Sequence, residues 1–157
     1  MDVLRAGSVL AAAVGSGLMA GIFFAFSAVV MPALQRRPAA EGIAAMQTMN
    51  VVIANPLFVL IFVGTGVASA ASIVLSLVDT ARSGAPAAAG GVLYLVGAIV
   101  VTGVANVPRN DALDAADPAS SDGADLWTRY LREWTAWNHV RTVATTVALA
   151  LFVIARQ

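Results

Sequence analysis

Four long runs of apolar residues constrain this sequence more than any other feature. A helix that crosses the hydrocarbon core of a bilayer needs about 20 mostly apolar residues, and none of the four runs carries more than one charged side chain. We predict membrane spans at about residues 6–31, 56–77, 91–107 and 137–155. The predicted fold class is therefore all-α: an integral membrane four-helix bundle in which residues 1–157 form a single transmembrane domain.

The composition agrees with placement in a lipid bilayer. Only 11% of the residues are charged, against about 25% in a typical soluble domain. The net charge is zero, so no overall field recruits nucleic acid and no such partner is expected. The first apolar run is longer than the roughly 7–15 residues of a cleavable signal sequence, and we predict a retained span. Alanine and glycine are abundant, as in GC-rich genomes, and we expect a bacterial plasma membrane.

The segments between the spans differ in character. Residues 42–52 form an amphipathic stretch after span one, for which we predict a short interfacial helix. From about Asp122 a further helix is expected to run directly into span four, which makes the fourth helix an extended one. The aspartates before it lack a ligand pattern, so we predict no metal site. Gly17 and Gly21 have a GxxxG spacing that suits close helix packing within the bundle or in a homo-oligomer.

One side of the fourth helix carries polar and aromatic side chains in a column. At 100° per residue, six of them fall on a stripe about 80° wide. Asn138 and Arg141 lie about one turn inside the span, where an unpaired polar group is costly, so they must face protein or a wet cavity. For the aromatic members, an interfacial belt is the alternative interpretation. The stripe consists of Trp127, Tyr130, Trp134, Asn138, Arg141 and Thr145.

Other polar residues near the same membrane face complete the candidate set. His139 is the only histidine and the natural candidate for proton transfer. It projects about 140° from the centre of the stripe, and a packing role is the alternative. Asn50, Asn55 and Asn110 could line a polar vestibule or cap helix ends. Asn106 lies inside span three, so it more strongly demands a partner.

Several short motifs occur along the chain in a fixed order. They are GIFFAF from Gly21, MPAL from Met31, AMQTMN from Ala45, NPLF from Asn55, VPRNDAL from Val107 and WTAWNHVR from Trp134. With these motifs the chain resembles a family of small membrane proteins that includes the fungal anthrone oxygenases. The resemblance covers nearly the whole chain, and the last two motifs are the most specific.

The resemblance implies a cofactor-independent membrane oxygenase that oxidises an anthrone-like flat aromatic or polyketide substrate with O2. Such a reaction needs an apolar slot for the rings, a base, and hydrogen-bond donors for the enolate oxygen. The alternative is a non-catalytic membrane protein that binds a lipophilic ligand or acts as a partner subunit. A genomic neighbour that encodes polyketide assembly would favour the enzyme, and a transporter neighbour would favour the partner subunit.

The resemblance also assigns roles to the candidate residues. His139 would be the base, while Asn138 and Arg141 would hold the enolate oxygen. The remaining candidates would bind the substrate, and they are Trp127, Tyr130, Trp134, Trp137, Asn50, Asn55, Asn106 and Asn110.

Overall fold

The computed structural model describes residues 2–78 and 84–156, and within them the chain is all-helical. The all-α fold class predicted from the sequence is confirmed. The second helix is the short one expected after span one, and the last helix is the extended one. The five helices are α1 (Val3–Gln35), α2 (Ala39–Ile53), α3 (Pro56–Val78), α4 (Gly84–Asp114) and α5 (Ser121–Ile154).

Four of the helices pack as a bundle. Helix α1 lies beside α3 and α5, and α4 lies beside the same two helices, so successive spans are neighbours. Each of these four helices is long and apolar enough to cross a membrane. Their outer faces expose large apolar side chains such as Leu18, Leu60, Val67 and Val147. The chain is therefore an integral membrane protein, with the backbone of each span hydrogen-bonded within its own helix.

Glycines allow the helices of the bundle to approach closely. A Cβ atom on Gly91 would stand 2.7 Å from the carbonyl oxygen of Ser69 on α3. A Cβ atom on Gly97 would overlap the Ala144 side chain on α5. These contacts are the kind that small residues provide in membranes, where lipid supplies no hydrophobic drive between helices.

The GxxxG spacing of α1 does not act as one packing surface. A Cβ atom on Gly17 would lie 3.5 Å from Leu149 on α5, whereas one on Gly21 would have nothing within 4 Å among the described residues. Gly17 therefore faces a helix of the same bundle and Gly21 is exposed. The homo-oligomer stays a prediction.

Helices α1 and α4 both continue past a proline at which the sequence predicted the span to end. Proline lacks an N–H, and its ring crowds the carbonyl group four residues earlier in an α-helix. In α1 the π-helical segment Phe26–Val30 ends two residues before Pro32, and in α4 the segment Thr102–Asn106 ends two residues before Pro108. In a π-helical turn the backbone hydrogen bonds join residues five apart instead of four. The carbonyl group before the proline can then bond to a different N–H, and each helix continues beyond its proline.

Helix α2 packs across one end of the bundle on a column of aromatic rings. The rings of Trp127 and Tyr130 are stacked with centroids 5.6 Å apart, and those of Tyr130 and Trp134 with centroids 5.9 Å apart. All three side chains are buried, together with Ile43 and Met46 of α2. These three aromatic members of the stripe therefore belong to the protein core beneath α2 and do not form a lipid-facing belt.

Candidate functional site

A cavity of about 320 Å³ lies inside the bundle at the end covered by α2. All five helices contribute to its walls. Aromatic rings come from Phe23 and Phe26 of α1, Phe58 of α3 and Trp134 of α5. The volume is at the lower end of the roughly 300–1,000 Å³ of small-molecule sites. The cavity therefore suits a compact and largely apolar ligand.

Arg141 provides the positive charge of the cavity. Its side chain is only 6% exposed. Nη1 donates a hydrogen bond to Thr102 Oγ1 at 3.1 Å, and Nη2 donates to Asn138 Oδ1 at 2.7 Å. The guanidinium carbon lies 4.4 Å from the ring centroid of Phe23 and 5.2 Å from that of Trp134. Two acceptors and two aromatic faces thus fix its position.

The Arg141 charge has no carboxylate partner in residues 2–78 and 84–156. Within the described residues no Asp or Glu forms an ion pair with it. A guanidinium has five N–H groups, of which the two hydrogen bonds use two. The Nε group has no hydrogen-bond partner in the described part of the chain. Because an uncompensated buried cation is costly, the site is complementary to a ligand that carries negative charge on oxygen.

Asn138 fixes the position of the Arg141 guanidinium through a hydrogen bond. Its Nδ2 group donates to the carbonyl oxygen of Phe23 at 2.7 Å and to Ser27 Oγ at 2.6 Å. An amide nitrogen has two N–H groups, so both are committed, and Oδ1 accepts from Arg141. Asn138 therefore has no donor left for a substrate oxygen, and it orients the guanidinium.

Two π-helical segments supply the partners of this network. Ser27 belongs to the segment Phe26–Val30 of α1, and Thr102 begins the segment Thr102–Asn106 of α4. An extra residue in a helical turn rotates the following side chains by about 100° relative to an unbroken α-helix. The segments thus change which residues face α5, and π-helical insertions occur frequently at functional sites.

Asn106 and Trp134 both line the cavity, and each contains one buried polar atom without a hydrogen-bond partner among the described residues. Asn106 is 1% exposed, and its Nδ2 donates to the carbonyl oxygen of Trp134 at 3.2 Å. Asn106 Oδ1 and Trp134 Nε1 are both buried without a hydrogen-bond partner among the described residues. Most buried polar groups are paired in native structures, so these two atoms are exceptions, and both are buried too deeply for a ligand in the cavity to contact them.

The outer part of the cavity carries negative charge. Asp111 and Asp114 of α4 line it, and both are exposed. Asn50 Nδ2 donates to Asp114 Oδ1 at 3.0 Å, which ties α2 to α4, and the Tyr130 hydroxyl donates to Asn110 Oδ1 at 2.9 Å. In the part of the chain that the structure describes, no three His, Cys, Asp or Glu side chains group as a metal ion would require.

The rim of the cavity on the α3 side is apolar. Ala54 and Val59 line it and are exposed, and Phe58 closes the wall between them. Asn55 lies outside the cavity lining and caps α3, because its Oδ1 accepts from the Phe58 backbone N–H at 3.0 Å. The capping interpretation of this asparagine is thus the one that the structure matches.

Comparison with protein families identifies the chain's relatives. The profile of the family described as Anthrone oxygenase matches residues 49–151, which is more than half of the 157 residues. The chain belongs to the anthrone oxygenase family. No curated protein and no solved structure matches it. The family match includes Thr102, Asn106, Asn138 and Arg141, whereas α1 lies outside it.

In this member of the anthrone oxygenase family, some of the residues predicted to form the site line the cavity and others do not. Trp127 and Tyr130 are buried behind Trp134 in the core under α2 and do not line the cavity. The predicted residues that line it are Asn50, Asn106, Asn110, Trp134, Asn138 and Arg141.

Trp137 and His139 lie outside the cavity of this anthrone oxygenase family member. Both are exposed, Trp137 by 39%, and neither lines the cavity. Each is one residue from Asn138, which corresponds to about 100° around the helix. The structure therefore does not bring the predicted base to the site, and Trp137 does not reach a ligand bound there.

Several cavity residues of this family member were not predicted from the sequence. Hydroxyl partners could have been sought by asking which polar groups in α1 and α4 satisfy Asn138 and Arg141. Periodicity gave no signal for the aromatic wall, because a lipid-facing phenylalanine and a cavity-facing one look alike in an apolar helix. The motifs GIFFAF and NPLF do contain Phe23, Phe26 and Phe58, but they carried no assignment to the site. The unpredicted cavity residues with a polar or aromatic side chain are Phe23, Phe26, Phe58, Thr102, Asp111 and Asp114. Ser27 was not predicted either; it does not line the cavity but accepts a hydrogen bond from Asn138.

Proposed function

We propose that this protein is an oxygenase of the bacterial plasma membrane that oxidises a flat, anthrone-like aromatic substrate with O2 and without a cofactor. One observation supports the proposal: a buried guanidinium, without a carboxylate partner among the described residues, lies against aromatic rings in a cavity of about 320 Å³. Family membership supports the same class of chemistry.

The proposed reaction needs little from the protein beyond binding and electrostatics. Loss of a proton from the substrate methylene gives an enolate, which transfers one electron to O2. The resulting carbon radical and superoxide combine at that carbon, and protonation gives a hydroperoxide. Cleavage of the O–O bond with loss of the remaining C–H proton releases water and leaves a carbonyl group. In total, an anthrone and O2 give an anthraquinone and water.

Arg141 is the residue proposed to stabilise the enolate. Negative charge develops on the substrate oxygen, and a preorganised donor in a water-poor site stabilises that charge far better than bulk water does. The rings of Phe23, Phe26 and Trp134 would pack against the flat substrate. Asn138 would act through Arg141 by fixing the guanidinium, since its own N–H groups are committed.

A cavity carboxylate is proposed as the proton acceptor. Asp111 and Asp114 line the outer part of the cavity, whereas His139 does not line it. Stabilisation of the enolate by Arg141 makes the substrate C–H more acidic, so that a weak base suffices. The proton would then leave through the outer, exposed part of the cavity.

The proposal is tested by oxygen uptake of the purified, detergent-solubilised protein with emodin anthrone as substrate. We expect uptake well above spontaneous autoxidation without added cofactor. Arg141→Ala should lower kcat/KM by roughly 100- to 1,000-fold, as the loss of a preorganised charge donor does elsewhere. Arg129→Ala is the matched control, because Arg129 lies on the same helix but is exposed and does not line the cavity.

The outcome also separates the two function classes. Uptake at the autoxidation rate by folded protein, or equal uptake by wild type and Arg141→Ala, would contradict the oxygenase proposal. If emodin still quenched tryptophan fluorescence in that case, the protein would be a binder of lipophilic aromatics, which is the second interpretation of the sequence. Trp134 lines the cavity and makes such quenching measurable.

A further inference from the structure

A groove on the outer surface of the bundle lies apart from the cavity. It has a volume of about 450 Å³ and runs between the end of α1 and the first half of α5. Arg37, in the turn that joins α1 to α2, and Ala39, at the start of α2, also line it. None of its lining residues lines the cavity, so the groove is a separate feature of the molecule.

The groove lies where the bundle leaves the hydrocarbon core. The predicted spans end at Met31 in α1 and begin at Trp137 in α5, and the lining residues of α5 run from Thr128 to Thr135. At a rise of 1.5 Å per residue this stretch is about 10 Å long. The headgroup layer on each side of the hydrocarbon is about 5–8 Å thick. The groove is therefore long enough to reach from the edge of the hydrocarbon through the headgroup layer.

Apolar and basic side chains line the groove together. Met31, Pro32 and Leu131 are buried or half-buried and give the groove an apolar wall. Arg37 and Arg132 are exposed and lie outside the predicted spans, at the level of the lipid headgroups. In the part of the chain that the structure describes, no Asp or Glu lines the groove. This combination suits a ligand that has both an apolar part and a negative charge.

The two arginines keep most of their hydrogen-bonding capacity. Arg37 contacts Glu41 through one nitrogen, and these side chains are 64% and 52% exposed. An ion pair with that exposure binds its partners weakly. Arg132 Nη2 lies 3.9 Å from Glu133 Oε1, which is too far for a hydrogen bond. The other oxygen of Glu133 is bound by Arg109, at 3.0 and 3.1 Å. Positive charge is therefore in excess at the groove.

We propose that the groove binds an anionic phospholipid, with the headgroup phosphate on Arg37 and Arg132 and the glycerol and first acyl carbons on the apolar wall. The planar N–H groups of arginine match the geometry of a phosphate, and such charge-assisted hydrogen bonds are strong. A zwitterionic lipid has the same phosphate but adds a positive group, so excess arginine charge favours a lipid of net negative charge. The position across the headgroup layer favours a lipid over a soluble anion. The proposal does not depend on turnover in the cavity.

The test measures which lipid the purified protein retains in detergent. The protein is mixed with equal amounts of phosphatidylglycerol and phosphatidylcholine with the same acyl chains, and lipid adducts are counted by native mass spectrometry. We expect about ten times more phosphatidylglycerol than phosphatidylcholine adducts, since each basic residue near the headgroups favours an anionic lipid. In Arg37→Gln/Arg132→Gln this preference should fall to about twofold or less, because the phosphate loses both charged donors.

A matched double substitution separates a binding site from general electrostatic attraction. Arg36→Gln/Arg129→Gln removes the same charge from the same end of the bundle, but both arginines are exposed and neither lines the groove. This protein should keep the wild-type preference. Equal loss of the preference in both double variants would overturn the site, and so would equal retention of the two lipids by wild type. Circular dichroism checks that both variants keep their helix content.

The role of the acyl chains is tested with the headgroup alone. Glycerophosphoglycerol, the deacylated headgroup, should not displace phosphatidylglycerol when it is added at the same concentration. Displacement would show that the groove binds a free phosphate ester, which would overturn the lipid assignment. A protein dimer in place of lipid adducts, lost in Arg37→Gln/Arg132→Gln, would assign the groove to a second copy of the chain and would also overturn the proposal.

Discussion

At the scale of single residues, the site depends on a guanidinium whose position is fixed by an amide whose own N–H groups are already committed. Asn138 donates both amide hydrogens to Phe23 and Ser27, and its oxygen accepts from Arg141. Thr102 adds the second acceptor. In a low-dielectric interior such networks fix one geometry, and partial satisfaction is costly. The sequence motif that contains both Asn138 and Arg141 therefore encodes one functional unit in which the asparagine acts through the arginine.

A double-mutant cycle tests this dependence. Asn138→Ala should lower kcat for emodin anthrone by about tenfold or more, because the guanidinium loses its acceptor and its position. The double substitution Asn138→Ala/Arg141→Ala should be no slower than Arg141→Ala alone, since residues that act as a unit are not additive. Oxygen uptake measures all three. Fully additive losses would mean that Asn138 contributes to catalysis independently of Arg141.

At the scale of helices, α2 is the cover of the cavity, and side-chain hydrogen bonds hold it in place. Gln47 Nε2 donates to the carbonyl oxygens of Leu113 and Ala116, at 2.9 and 3.0 Å, just where α4 ends. Asn50 adds the bond to Asp114. These bonds satisfy carbonyl groups at a helix end that have no partner within the helix. These hydrogen bonds add to the packing of Ile43 and Met46 on the aromatic column, and a single substitution can remove them.

Removal of the Gln47 anchor should loosen α2 without unfolding the bundle. Gln47→Ala is expected to speed amide hydrogen exchange in α2 by about fivefold to tenfold, because two hydrogen bonds worth about 1 kcal/mol in total are lost. Thr48→Ala is the matched control, since Thr48 is exposed and bonds only within α2, to the Ala44 carbonyl oxygen. Equal exchange in Gln47→Ala and Thr48→Ala would show that Gln47 does not anchor the helix.

At the scale of the whole molecule, the bundle depends on close contacts at a few glycines. The Gly97–Ala144 contact between α4 and α5 leaves no room for a methyl group, whereas Gly103 on α4 has nothing within 4 Å of a Cβ position among the described residues. Overpacking in a tight interior typically costs about 1–3 kcal/mol. In an exposed helical position, alanine instead favours the helix by up to about 1 kcal/mol.

The two glycines therefore make a matched pair for stability. Gly97→Ala should lower the unfolding midpoint of the protein in detergent, measured by circular dichroism on heating. Gly103→Ala should leave the midpoint unchanged or raise it slightly. A Gly97→Ala protein as stable as wild type would contradict the tight contact between α4 and α5 at this position.

The sequence predicted the fold well because an apolar run of about 20 residues has few possible structures other than a membrane-spanning helix. It predicted the stripe because side-chain directions repeat regularly along one unbroken α-helix. Burial of Trp127, Tyr130, Trp134, Asn138 and Arg141 on one side of α5 follows from 3.6 residues per turn. The partners Ser27 and Thr102 could not be predicted in the same way. They sit on π-helical segments, and such an insertion shifts the phase that any regular projection assumes.

The apolar rim at Ala54 and Val59 determines which ligand concentration controls the occupancy of the cavity. The rim joins the exposed outer face of α3, a helix suited to a bilayer, so the cavity borders the phase into which flat aromatics dissolve. The quantity that governs occupancy is then the mole fraction of ligand in lipid or micelle and not its amount per litre of buffer. Added detergent would act as a diluent, and a Michaelis constant would have meaning only with its amphiphile concentration stated.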